Sequence, residues 1–196
     1  MIEIEQLLKD VGQDKCDNLS TTSFNFKRDI WRFFNNKKYQ NLIACEFGTH
    51  KGQTTYILSH LFQKVYTINR NEESLVEARN FNSTRGNIIY LPFNLYGEKL
   101  DYNPIQEEIG VFFIDAGHEY NQVDSDLRRI DVMKDKREVF VIFDDFGLIK
   151  DVHDCILDWM DDGRLEIIKH IGHEPGYDFG QGRILKDFEG IICKFK

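Results

Sequence analysis

The stretch that most constrains this chain is Asn41-Leu-Ile-Ala-Cys-Glu-Phe-Gly-Thr-His-Lys-Gly52, where an apolar run breaks at two glycines and a helix-like pattern follows. Leu42–Phe47 is short and apolar, which predicts a strand buried on both faces of a parallel sheet. Gly48 and Gly52 predict a tight turn and a close backbone approach to a ligand at the strand's carboxyl end, where open α/β sheets bind cofactors. The dinucleotide fingerprint GxGxxG would need glycines at His50 and Gln53. Their absence weakens a nicotinamide or flavin reading.

From that stretch onward, apolar runs and helical patterns alternate. Strand Leu42–Phe47 leads to helix Gly52–Phe62, strand Lys64–Ile68 to helix Glu72–Asn82 with Asn71 as its N-cap, and then to strand Ile88–Phe93. After a polar link, 94–108, come strand Val111–Ile114, helix Tyr120–Met133, strand Val139–Phe143 and helix Lys150–Met160. Leu165–Ile171 and Gly190–Phe195 are strands joined by a glycine-containing loop without a helix, so they should pair antiparallel. The order predicts an α/β, three-layer, Rossmann-like fold around a mostly parallel seven-stranded sheet ending in an antiparallel hairpin. Ahead of it, Ile4, Leu7, Leu8 and Val11 have helical spacing up to Gly12, and Phe24 to about Lys38 forms an aromatic helix that reads as core or as a lid. The whole, 1–196, reads as a single domain, with 1–39 a helical cap on a core of 40–196.

Charge and cysteine usage narrow the partners. A formal net charge of -8 without a basic patch argues against a nucleic-acid backbone. The acidic start, Met1-Ile-Glu-Ile-Glu, is unlike a signal peptide, and no apolar run approaches the roughly 20 residues that span a bilayer. The expectation is a cytoplasmic protein with no membrane partner. Cys16, Cys45, Cys155 and Cys193 form no CxxC pair and read as reduced thiols, Cys45 and Cys193 within buried strands. Oligomeric state is open, and a homo-oligomer is compatible with the sequence.

Glu46, Gly48, Thr49 and Gly52 spell ExGTxxG, which resembles the first motif of class I S-adenosylmethionine-dependent methyltransferases. The resemblance covers about residues 40 to 196 in order of elements. It implies that the strand-end acid and glycine loop hold the methionine part of the cofactor, and it implies cofactor contacts at Glu46, Gly48, Thr49, Gly52, Thr54, Asn69, Asn94 and Asp115. The chemistry agrees, because an acid can receive an ammonium and free N–H groups at a helix start can receive a carboxylate. An acid before a glycine turn is also a common solvated strand end.

Val111-Phe-Phe-Ile-Asp-Ala-Gly-His-Glu-Tyr120 ends a strand in Asp115 and reaches His118 three residues on, and Val139-Phe-Val-Ile-Phe-Asp-Asp-Phe-Gly147 ends another in Asp144 and Asp145. Strand ends on the same sheet edge as Gly48 would bring these acids together. Converging carboxylates repel unless they share a proton, a basic partner or a hard divalent cation, and magnesium (Mg2+) is the economical answer, with Mn2+ or Ca2+ suiting the same ligands. Paired acids at strand ends also simply cap turns. FIDAGHEY resembles the strand-four motif of metal-dependent O-methyltransferases of the catechol and caffeoyl-coenzyme A type, and FDDFG their next ligand pair, usually Asp-Asn. The resemblance implies metal ligands at Asp115, Asp144 and Asp145. A histidine where those enzymes carry a catalytic lysine is closer to sugar O-methyltransferases of macrolide and rhamnosyl pathways, implying His118 as general base and a small hydroxylated, sugar-like substrate. Asp144 is the second candidate base. His118 could equally cap the following helix.

Two positions depart from the family pattern. Asn69 stands where an acid usually binds the ribose hydroxyls and Asn94 where an aspartate often reads the adenine amino group, although an amide retains a carbonyl acceptor. They leave room for a metal-independent methyltransferase or a catalytically silent binding protein. His170 and His173 fall on opposite faces of an extended strand by odd spacing, which argues against a metal role, and Arg183 in the last loop reads as a solvated arginine or a contact for an anionic substrate.

Overall fold

The computed structural model of the protein describes residues 3–12, 22–97, 104–134, 138–173 and 187–196. Cys16, Arg183 and the loop glycines 176, 180 and 182 lie outside these. The elements are α1 (Ile4–Asp10), α2 (Phe24–Phe34), β1 (Ile43–Phe47), α3 (Gln53–Leu61), β2 (Lys64–Asn69), α4 (Glu72–Phe81), β3 (Ile88–Pro92), β4 (Val111–Ile114), α5 (Tyr120–Met133), β5 (Val139–Phe143), α6 (Lys150–Asp161), β6 (Leu165–His173) and β7 (Phe188–Phe195). Seven strands form one sheet in the order β3-β2-β1-β4-β5-β7-β6. The first five are parallel, and β7 runs antiparallel between β5 and β6, as a helix-free connection requires.

Hydrophobic alternation sends the strands' side chains to two cores. Cys45, Phe47, Phe112, Ile114, Val141 and Phe143 pack toward α5 and α6, while Ala44, Val111, Phe113, Phe140 and Ile142 pack toward α1, α2 and α3. The aromatic helix is therefore core: Phe26, Ile30, Trp31 and Phe34 are buried, and Phe34 meets Phe62 and Phe140 edge-to-face at 5.3 and 5.7 Å. An 11-residue helix is marginal alone, so this packing decides its formation. It ends at Phe34, short of Lys38, because the chain turns at Asn35 and Asn36. Asn71 caps α4 as its sequence position predicts, accepting from Glu73 N–H at 2.8 Å and Ser74 N–H at 3.2 Å. Asn71→Ala should therefore lower stability by about 1 kcal/mol in urea unfolding.

The strand order reverses between β1 and β4, the switch point where an open α/β sheet opens a crevice. Register makes that edge level, with Phe47 opposite both Ile68 and Ile114, and Ile114 opposite Phe143. Backbone bonds then tie the next residues together: Gly48 N–H to Ile68 O at 2.9 Å, Asp115 N–H to Phe47 O at 2.9 Å, and Asp144 N–H to Ile114 O at 3.1 Å. Among the described residues no helix is long and apolar enough to cross a membrane.

Candidate active site

A cavity of about 590 Å³, ample for an adenosyl-sized ligand, opens at the switch point. Every position expected to contact a cofactor except Gly52 lines it: Glu46, Gly48, Thr49, Thr54, Asn69, Asn94 and Asp115. Glu46 is fully buried. Its Oε2 accepts from Thr55 Oγ1 at 2.5 Å and Thr67 Oγ1 at 2.6 Å, and Thr49 Oγ1 lies 2.6 Å from Thr67 Oγ1, while Oε1 has no partner among the described residues. Burial pushes its pKa up to about 8 against the lowering effect of the two threonines. A buried acid with a free oxygen at a cavity wall is a place for a cation, which a solvated strand end is not.

The glycines answer to the fold. A Cβ on Gly48 would sit 2.0 Å from Asp115 O, and one on Gly52 would sit 2.5 Å from Asn82 Nδ2 and 2.9 Å from Ala78 Cβ. Both have positive φ, 99° and 79°. The close approach expected toward a ligand is thus an approach of β1 to β4 and of α3 to α4, and Gly52 serves as the N-cap of α3 without lining the cavity.

At the ends of β2 and β3 the two asparagine carbonyls each accept one backbone N–H and keep a second lone pair. Asn69 Oδ1 accepts from Asn71 N–H at 3.0 Å, and Asn94 Oδ1 accepts from Tyr96 N–H at 3.2 Å. Each closes a local turn, the usual competition of asparagine with the backbone. Behind them, Tyr96 Oη donates to Asp126 Oδ2 at 3.0 Å, and Arg129 donates from Nη2 to Leu95 O at 2.9 Å with its guanidinium 5.1 Å from the Phe93 ring centroid. Phe93, Leu95 and Tyr96 all line the cavity.

Beside the cavity, Asp115, His118 and Asp145 each bring one ligand atom within 4.8 Å of the others. His118 Nε2 lies 3.1 Å from Asp145 Oδ2 and 3.6 Å from Asp115 Oδ1, with the imidazole half-exposed. Its pKa is raised, first by the Asp115 hydrogen bond and then by the charges of Asp145 and Asp115 against partial burial. Asp145, the first residue beyond Asp144 at the end of β5, holds a left-handed φ of 58°, which turns its carboxylate toward the histidine. Burial raises its pKa to about 6. Non-glycine residues at positive φ are uncommon, and the two described here, His50 and Asp145, both stand at this edge.

Asp144 is not in that cluster. It is buried, Oδ1 has no hydrogen-bond partner among the described residues, and burial followed by the charges of Asp145, Asp115 and Glu189 drives its pKa well up. The physical reason is alternation: Asp144 continues the β5 pleat on the side of Phe140 and Ile142, and the left-handed turn at Asp145 brings that carboxylate to His118 at the rim, outside the cavity lining. His118 takes its place among the grouped residues. Nor is His118 a helix cap, since α5 starts at Tyr120 with Glu119 as N-cap, whose N–H donates to Gln122 Oε1 at 3.3 Å. The His170 and His173 rings both lie against Phe188, with centroids 4.4 and 5.8 Å away.

Sequence reasoning missed a buried polar group beneath the site. Lys27, fully buried, donates to Thr22 O and Thr22 Oγ1, and Thr22 Oγ1 lies 3.1 Å from Thr54 Oγ1, which ties α2 to the first turn of α3. Ser23 N–H donates to Glu189 Oε1 at 2.9 Å. The available signal was a lysine on the apolar face of α2, in step with Ile30, Trp31 and Phe34.

Residues 45–146, just over half of the chain, match the family profile described as a methyltransferase domain. No curated protein matches the sequence. Among solved structures, the fold is similar to that of the tRNA methyltransferase TrmI from Aquifex aeolicus, with a TM-score of 0.65 and 15% identity, covering 97% of this chain and 75% of that one. It is similar to the N-methyltransferase NodS from Bradyrhizobium japonicum, with a TM-score of 0.62 and 12% identity over 86% and 92% of the two chains. Fibrillarin from Aeropyrum pernix, in complex with natively bound S-adenosyl-L-methionine, gives a TM-score of 0.59 and 14% identity over 87% and 74%. At these identities the likeness is one of fold.

Proposed function

The chain belongs to the methyltransferase-domain family, and on that premise we propose that it is an S-adenosylmethionine-dependent O-methyltransferase acting, with a divalent cation, on a hydroxyl of a small sugar-like or diol molecule. One observation carries this reading: Asp115 and His118 belong both to the cavity lining and to the acid-histidine cluster, so an acceptor held at the cluster lies beside the cofactor. The residues suit both groups. Glu46 Oε1 is an unpartnered buried acceptor for the cofactor's ammonium. Asp115 and Asp145 give the few carboxylate ligands that Mg2+ or Mn2+ takes while keeping water positions open.

S-adenosylmethionine supplies an electrophilic methyl group on a sulfonium, and a cation between the carboxylates lowers the pKa of a nearby hydroxyl. The chain does the rest. The β1 loop and the ends of β2 and β3 fix the cofactor, so that the acceptor oxygen can be placed in line with the leaving sulfur. In its neutral form the His118 imidazole takes the hydroxyl proton, and the Asp145 and Asp115 carboxylates, 3.1 and 3.6 Å from Nε2, steady the positive charge it gains. A net charge of -8 favours a small acceptor over a nucleic-acid backbone. Cys45, Cys155 and Cys193 are free and buried, in keeping with a reducing, cytoplasmic setting.

Calorimetric titration with S-adenosylhomocysteine, then methyl transfer to a panel of diols with and without chelator, tests the proposal. Preferential NAD binding would sink it. Full activity in chelator would leave a metal-independent enzyme, with His118 acting alone.

Glu46 adds a pH dependence. Its folded pKa of about 8 lies above the ordinary value of 4.5, so the neutral form is favoured in the free protein at neutral pH, whereas an ammonium requires the carboxylate. Affinity for S-adenosylhomocysteine should fall by up to about tenfold per pH unit below that pKa, with close to one proton released on binding. Calorimetry at several pH values in buffers of different ionisation enthalpy measures this. For stability the sign is opposite: the contribution of the neutral form is complete below 4.5 and is lost as pH rises through about 8.

A further inference from the structure

Tyr96 joins two parts of the site that the chain reaches separately. It lines the cavity from the segment after β3, and its Oη donates at 3.0 Å to Oδ2 of Asp126, a fully buried residue of α5. The same phenol oxygen closes over the turn that carries Asp115 and His118. A Cβ added at Gly117 would lie 2.4 Å from Tyr96 Oη, 2.6 Å from Gln122 Oε1 and 2.7 Å from Gln122 Cβ. Gly117 has no left-handed φ, so crowding by these two side chains, and not backbone conformation, calls for glycine there. Gln122 is itself fixed by the capping box it forms with Glu119. Arg129, about one turn of α5 beyond Asp126, holds the rest of the wall segment through Leu95 O and the Phe93 ring.

Asp126 is costly where it stands. Burial pushes its pKa up to about 7 against the Tyr96 hydrogen bond and the charge of Arg129, and its Oδ1 has no partner among the described residues. Packing alone would be served as well by a leucine, because an apolar pair in place of a buried hydrogen-bonded pair is often neutral or stabilising. A leucine would not fix the phenol oxygen at one point over Gly117, since that takes a directional bond.

We propose that Tyr96 and Asp126 are positioning residues, which clamp the 115–118 turn from the side of α5 and so hold the His118 imidazole at the cavity. The inference rests on His118 acting as the base, as proposed above. Placement is where such a clamp has its effect: a base displaced by about 1 Å from its working geometry can cost on the order of 10²-fold in rate, with binding elsewhere in the site little changed.

Variants of the full chain separate positioning from packing. In the apolar pair Tyr96→Phe/Asp126→Leu, kcat for the best diol acceptor should fall roughly tenfold to a hundredfold, while KM and S-adenosylhomocysteine affinity stay within about threefold of the wild type. Asp126→Asn, whose amide oxygen still accepts from the phenol, should keep its rate within about threefold. Urea unfolding should find the apolar pair at least as stable as Tyr96→Phe alone, which leaves the buried carboxylate without its donor, so that stability returns and rate does not. NMR order parameters of the Gly117 and His118 amides, measured without any ligand, should drop in the apolar pair from about 0.85 toward about 0.6, with those of β4 unchanged. Wild-type order parameters in the apolar pair, a rate that returns together with stability, or an Asp126→Asn protein as slow as the apolar pair would each overturn the clamp. If the wild type transfers a methyl group to no acceptor, the base reading fails on its own, and the order parameters still decide whether the clamp holds the turn.

Discussion

His118→Ala is expected to lower methyl transfer by roughly 10²–10⁴-fold, the range of a positioned general base, or about 3–5 kcal/mol of barrier. The side chain is half-exposed and caps no helix, so urea unfolding should shift by less than about 0.5 kcal/mol. Asp145→Asn should produce a rate loss of similar size, because it removes both a ligand oxygen and the charge that steadies the protonated imidazole at 3.1 Å. If cation and base act as a unit, chelator should cost His118→Ala far less than it costs the wild type, since groups that work together are not additive. S-adenosylhomocysteine affinity should change little in either variant, which separates loss of chemistry from loss of the cofactor. An active but destabilised His118→Ala protein would take the base role from this residue, and Asp144, buried at the same edge, would be the next carboxylate to substitute.

The fold was legible because each parallel strand is a short apolar run and each helix starts at a recognisable break. Asn71 was visible as a cap, and the helix-free end of the chain predicted the antiparallel β6–β7 pair. The cavity was legible for the same reason: once the strands are level, residues at or one step beyond their ends, such as Gly48, Asn69 and Asp115, must share an edge. What sequence could not supply was direction. Whether Asp144 or Asp145 meets His118 depends on one backbone angle, φ 58° at Asp145, and the alternation that holds within β5 says nothing about the turn after it. Asparagine hid a second choice, because its carbonyl can serve a ligand or its own backbone, and here both Asn69 and Asn94 serve the backbone. Lys27 and Glu189 were unreadable as partners of the site because only the packing of α2 against the sheet that contains β7 brings their neighbours together.

Gly48→Ala is expected to destabilise the protein by about 2–6 kcal/mol, two separate penalties acting at one position. A φ of 99° is rarely adopted by residues with a side chain, and such strain is of order 1–3 kcal/mol. The added methyl would also lie 2.0 Å from Asp115 O, 2.6 Å from Asp115 C and 3.1 Å from Ala116 Cα, atoms of the backbone that no side-chain rotation can relieve. Relief requires the ends of β1 and β4 to part, which strains the Asp115 N–H bond to Phe47 O at 2.9 Å and moves a residue shared by the cavity and the cluster. Against a total stability of about 5–15 kcal/mol for a domain, that loss is a large fraction. Urea unfolding without any ligand measures it directly, and Gly48→Val should be worse than Gly48→Ala because the branched side chain adds bulk at the same contact. The alternative, that Gly48 is a glycine only to leave room for the cofactor, makes the opposite forecast: wild-type stability with S-adenosylhomocysteine binding lost. That outcome would mean the β1 and β4 ends can separate cheaply, and the cluster they position would then be far less rigid than its hydrogen bonds indicate.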